Sequence, residues 1–136
     1  MAKGRKKKYI YSKGRRKEAS ATLRLFEGKG EFTVNQRPIA KYFPGERLRA
    51  IYEKPLIAGE CQGKFYGYFW VRGGGFKSQA EAISLSLARA LVKYNEGVYR
   101  PLMREKGLLT VDSRIRERRK AGQMGRARKK KQSPKR

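Results

Sequence analysis

Two cationic ends confine whatever folds in this chain to its middle. Residues 1–17 carry nine Lys or Arg and no carboxylate, and residues 114–136 carry twelve against a single Glu. Between them, residues 18–113 hold 15 basic and ten acidic side chains. The ends lack the apolar surface that would offset the entropy of ordering, and their like charges repel. They are expected to stay extended until an anionic polymer compensates them. The middle has the composition of an ordinary globule, and 136 residues are enough for one compact domain. The division is therefore a basic N-terminal arm over 1–8, a globule over 9–107 and an extended basic tail over 108–136.

A net charge of +25 calls for a polyanionic partner. Nucleic acid fits better than a membrane. No run approaches the roughly 18 to 20 apolar residues that span a bilayer, and no basic stretch carries a regular apolar stripe. With one Cys and no His, the chain has no intramolecular disulfide, lacks the ligands of a structural zinc site and lacks the commonest general base. Its ten central carboxylates form no recognisable pair or metal spacing. No catalytic residue, cofactor, metal or small-molecule substrate is expected. The opening from Met1 has neither the apolar stretch of a secretory signal nor a Ser-rich amphipathic leader, so a bacterial cytoplasm is expected rather than an organelle.

Along the middle, residues 18–26 alternate, with Ala19, Ala21, Leu23 and Leu25 on one side, as a half-buried strand does. Gly28-Lys29-Gly30 reads as a tight turn into a second strand over 31–35, giving a β-hairpin. Pro38 suits the first turn of a short helix through Tyr42 and Phe43. A further helix is expected over 46–53, ending before Pro55. Residues 64–72, rich in aromatics on both faces, read as a central strand. Ser78 and Glu81 have capping-box spacing before an apolar stripe from Ala80 to Tyr94, with Gly97 as the C-terminal cap. A shorter helix is expected over 101–106. Strands in the first half with helices on one face give an α+β fold.

Gly14-Arg15-Arg16-Lys17 reads as phosphate-binding cations on a rigid element, with Gly14 letting the backbone come close. Gly73-Gly74-Gly75-Phe76-Lys77-Ser78 falls short of a P-loop, because Phe76 stands where the second Gly is needed. Two readings remain open there: an anion site at a helix N-terminus beside Lys77, or a sharp bend needing positive φ. Tyr66, Tyr68, Phe69 and Trp70 suggest a base-stacking platform, but aromatics on both faces and no second basic-aromatic strand favour core packing. The tail offers Arg114, Arg116, Arg118, Arg119, Arg126 and Arg128, which can fork onto phosphate or stack on a base, with Lys120, Lys129, Lys130 and Lys131 as point charges for nucleic-acid contact. Residues 112–120 have the makings of a short helix in a bound state.

In order, Gly14-Arg15-Arg16-Lys17, the run from Gly28 to Asn35, Tyr42-Phe43, Gly73-Gly74-Gly75 with Gln79-Ala80, Ala88-Arg89-Ala90-Leu91 and Glu117-Arg118-Arg119-Lys120 resemble the bacterial-type S-nine family of small-subunit ribosomal proteins. The resemblance implies a mixed sheet with helices on one face, of the ribosomal S-five second-domain type. It also implies docking on small-subunit rRNA in the head, beside neighbouring head proteins. The tail would thread toward the peptidyl-site tRNA, with Lys135 and Arg136 at the anticodon stem-loop. The competing reading is a free-standing architectural nucleic-acid-binding protein.

Overall fold

The computed structural model describes residues 8–129. Five strands form one mixed sheet in the order β1-β2-β5-β3-β4. They are β1 (Ile10–Arg16), β2 (Ala19–Glu27), β3 (Thr33–Val34), β4 (Arg37–Pro38) and β5 (Phe65–Arg72). Four helices complete it: α1 (Ile39–Tyr42), α2 (Glu46–Ala58), α3 (Phe76–Tyr94) and α4 (Glu96–Glu105). The architecture is the α+β globule of S-five second-domain type that the resemblance implied.

Alternation decides which face is buried. Ala19, Ala21, Leu23 and Leu25 of β2 and Phe65, Phe69 and Val71 of β5 all lie in the core. They meet Ala80, Ile83, Leu87 and Leu91 of α3. Each such fully buried Leu or Phe contributes about 1.5–3 kcal/mol. α2 and α4 flank α3 and add Tyr52, Leu56, Tyr99 and Met103 to the same core.

The strand over 18–26 is present as β2, but the hairpin expected with residues 31–35 is not. β5 lies between β2 and β3, antiparallel to the first and parallel to the second. β2 instead forms its hairpin with β1, across a two-residue turn in which Lys17 takes φ 52°. β1 escaped the pattern because Lys13, Arg15 and Arg16 disguise its alternation, while the small Ser12 and Gly14 occupy its buried face.

Four helix ends also differ from expectation. α2 continues through Pro55 to Ala58, because Tyr52, Pro55 and Leu56 are buried together and packing outweighs the missing donor. α3 starts at Phe76 behind Gly75 with no side-chain cap, so the Ser78–Glu81 capping box does not form. Glu81 bonds Arg16 instead. Asn95, not Gly97, ends α3, and α4 begins at Glu96 rather than Pro101.

Candidate nucleic-acid interface

β1 is an edge strand held against α3 by an unusually close approach. A Cβ on Gly14 would sit 2.1 Å from the Ala82 carbonyl oxygen and 2.7 Å from the Ser86 amide nitrogen. Next to it, the buried Ser12 hydroxyl donates to the Ser86 carbonyl at 2.6 Å. Arg89 and Lys93 of α3 then donate to the Lys13 and Tyr11 carbonyls at 2.9 and 2.7 Å. Gly14 therefore serves the strand–helix contact. The expectation that it opens the backbone to phosphate is corrected, since its Cα faces α3 and not solvent.

The basic cluster that follows Gly14 divides in two. Arg16 is drawn inward, with a side chain only 12% exposed. Its Nε donates to Glu81 Oε2 at 2.9 Å, its Nη1 to the Arg114 carbonyl at 2.6 Å, and its Nη2 lies 3.5 Å from Asp112 Oδ2. Arg15 and Lys17 stay exposed. One guanidinium thus ties together β1, α3 and the root of the tail, while its neighbours remain available to a ligand.

Asp112 is the second half of this clasp. It accepts the Arg114 side chain at 2.8 and 3.0 Å and the Arg114 amide at 3.1 Å. Arg114, its own amide bond to that carboxylate and Arg16 hold the Asp112 carboxyl well below the usual carboxylate range. A carboxyl depressed in the folded chain stabilises above its unfolded value, near 4, and that stabilisation is lost only as pH falls through the depressed folded value. The clasp is therefore expected to survive at about pH 4, where an unpaired Asp is half protonated. Titration of the Asp112 carboxyl by NMR checks this: a midpoint near 4 would mean that the clasp is open in solution.

Beyond the clasp no helix forms over 112–120 in the free chain; the backbone is irregular. Farther on, the Glu117 carboxylate gathers Arg128 at 2.8 Å and Lys120 at 3.3 Å, which lowers its pKa, Arg128 contributing most. The Lys120 amide donates to the Arg126 carbonyl at 3.2 Å, closing a loop through Gly122 and Gly125, both at positive φ. Arg116, Arg118, Arg119, Arg126 and Lys129 are exposed along this segment. Lys130, Lys131, Lys135 and Arg136 lie outside the described residues.

At the other sequence-singled site, the bend has direct geometric support. Gly73 and Gly74 take φ 79° and 64°, and a Cβ on Gly73 would stand 2.5 Å from the Glu18 carbonyl oxygen. The Gln79 side chain braces the turn by donating to the Gly73 carbonyl at 3.0 Å while accepting from the Tyr42 hydroxyl at 3.0 Å. Lys77 and Gly75 are exposed at the start of α3, whose first-turn amides have no acceptor within the helix. Of the four aromatics assigned to core packing, only Phe69 is fully buried. Tyr68 and Trp70 are 45% and 50% exposed, because β5 alternates strictly and has one buried face, not two.

Among the described residues, no group of three or more His, Cys, Asp or Glu is placed to hold a metal, and no helix is long and apolar enough to cross a membrane. The lone Cys61 is buried, and burial pushes its thiol up, away from the thiolate that chemistry would need. A compact, moderately basic globule thus clasps the root of a polycationic tail, a scaffold-like arrangement whose charge suits a polyanionic ligand.

The comparison with known proteins narrows that reading. The family model described as Ribosomal protein S9/S16 matches residues 14–136, and the chain belongs to this family. It is 44% identical over 114 residues to the small ribosomal subunit protein uS9 of Porphyromonas gingivalis, covering 84% of this chain and 88% of that one. It is 46% identical over 116 residues to the small ribosomal subunit protein uS9 of Methylacidiphilum infernorum, covering 85% of each.

Proposed function

We propose that the chain is a structural constituent of the small ribosomal subunit that folds rRNA in the head and directs its tail toward the peptidyl-site tRNA. The observation that carries this reading is the clasp. Arg16, Glu81 and Asp112 fix the tail's point of departure, and from residue 114 onward the chain is almost purely cationic. A tail aimed from a rigid root meets phosphates at less entropic cost than one swinging freely. Within this reading Arg16 positions the tail, whereas Arg15, Lys17 and Lys77 meet phosphate directly. The tail cations from Arg116 to Lys131 follow the rRNA, and Lys135 and Arg136 meet the tRNA. The protein performs no catalysis and works in the cytoplasmic ribosome.

Co-sedimentation with small subunits after a high-salt wash tests the reading. A component held by threading and shape stays on the particle. Release would point to a free-standing architectural binder that relies on charge alone. The division within the basic cluster has its own signature. Arg15→Ala with Lys17→Ala is expected to flatten the salt dependence of rRNA binding by about one unit of slope per lost phosphate contact. Arg16→Ala is expected to loosen residues 112–114, seen as faster amide exchange at Arg114.

A further inference from the structure

The helices cover one face of the sheet, and the other carries a pattern that a mere solvent-exposed surface does not need. Strand register sets its side chains in rows. Tyr11, Arg24 and Tyr68 stand side by side across β1, β2 and β5, and Lys13, Thr22 and Trp70 form the next row. The row beyond that ends in Arg15 on one strand and Arg72 on another. No outward-facing position in these three rows is Asp or Glu. The second basic-aromatic strand that sequence reading missed is thus supplied twice, by β1 and by β2.

The rings are ordered by one another. Phe26 stacks on Tyr66 with centroids 5.2 Å apart and planes 11° from parallel, and Tyr68 meets Phe26 edge-on at 5.5 Å. The Arg24 guanidinium lies 5.2 Å from the centre of the Tyr9 ring. Tyr68 and Trp70 are successive outward residues of one strand and both are about half exposed. Exposed rings at period two, interleaved with unopposed cations, match the chemistry of unpaired nucleic acid: a base stacks on each ring while the cations meet its backbone. A duplex has its bases already stacked on each other and offers no free ring face. An apolar protein surface would leave four cations without partners.

We propose that the open face of the sheet is a base-stacking platform for an unpaired RNA segment. Tyr68 and Trp70 seat the bases, and Lys13, Arg15, Arg24 and Arg72 hold the phosphates. This rests on the RNA-binding reading above and adds a second contact surface, on the opposite side of the sheet from α3.

Trp70 is the sole tryptophan, so it reports on its own occupancy. The full-length chain is titrated with an oligouridylate of about ten nucleotides and, separately, with duplex RNA of equal length, each labelled for anisotropy. The single strand is expected to quench Trp70 emission as it binds, and the duplex to bind with emission unchanged. Tyr68→Ala should weaken the single strand about five- to a hundredfold, Tyr68→Phe should preserve it, and duplex affinity should stay within about twofold. Melting curves confirm that the exposed substitution leaves the core intact. Oligouridylate that binds without quenching and ignores Tyr68→Ala overturns the platform and leaves the cationic tail reading standing. Failure to bind either RNA overturns both. In assembled subunits, a photoreactive side chain at position 68 should crosslink to rRNA; crosslinking to a neighbouring protein overturns the platform.

Discussion

Replacing Gly14 by alanine is expected to lower the melting temperature of the full-length chain by about 15 °C. The added Cβ has nowhere to go. It would meet backbone atoms on both sides of one helical turn, the Ala82 carbonyl at 2.1 Å and the Ser86 amide at 2.7 Å. A flexible side chain gives way at small cost; a helix backbone does not. Relief requires β1 to lift from α3, which also breaks the buried Ser12–Ser86 hydrogen bond. Overpacking of this kind costs about 1–3 kcal/mol and the lost bond about 1 kcal/mol more. A sum near 3 kcal/mol moves the midpoint by about 4–8 °C for each kcal/mol in a globule of this size.

The sign makes the test sharp. Gly→Ala ordinarily stabilises by about 0.4–1 kcal/mol, by restricting the unfolded chain. Gly97→Ala supplies the control: it lies inside α4 with nothing nearer than 3.8 Å, and should raise the melting temperature by a few degrees, about 0.5–1 kcal/mol. Opposite shifts from the same chemical change would isolate the strand–helix contact as the cause. A Gly14→Ala chain that melts within about 3 °C of the parent would show that β1 sits farther from α3 than the structure places it.

That contact also explains what the sequence hid. β5 is marked by its run of aromatic residues and not by its alternation, while β2 and α3 announce themselves because Ala19, Leu23 and Leu25, and Ile83 with Leu87, repeat at the spacing of their element. β1 does not, since its buried face is Ser12 and Gly14, which no hydrophobic pattern flags. Missing β1 meant giving β2 the wrong partner, and the insertion of β5 between β2 and β3 is a long-range pairing that local turn chemistry cannot reveal. The same gap concealed the open aromatic face, whose outer rows need β1. In the candidate interface the cations were legible as a cluster, but their division was not. Which of Arg15, Arg16 and Lys17 turns inward depends on Glu81 and Asp112, 65 and 96 residues from Arg16 in sequence. Charge read along the chain is blind to such partners; only the fold assigns them.

Removing residues 117–136 is expected to weaken binding to small-subunit rRNA by about a thousandfold near physiological salt, and by much less near 1 M. The cut spares Asp112 and Arg114, so the clasp and the globule remain whole. It discards ten of the 36 cations and one carboxylate. If half of those cations each neutralise one phosphate, the slope of log affinity against log salt falls by about 4, because each contact releases about 0.7–0.9 of a counterion. Two lines that differ by that slope meet near 1 M and lie about a thousandfold apart near 0.15 M, which is why the salt titration decides more than any single affinity. A shorter cut, removing residues 133–136, takes away only Lys135 and Arg136 among the cations. It should leave rRNA binding and assembly close to intact while peptidyl-site tRNA binding weakens modestly. Parallel lines for the full chain and the 117–136 deletion would mean that the globule alone meets the rRNA, and that the clasp at Arg16 aims a tail that touches no phosphate.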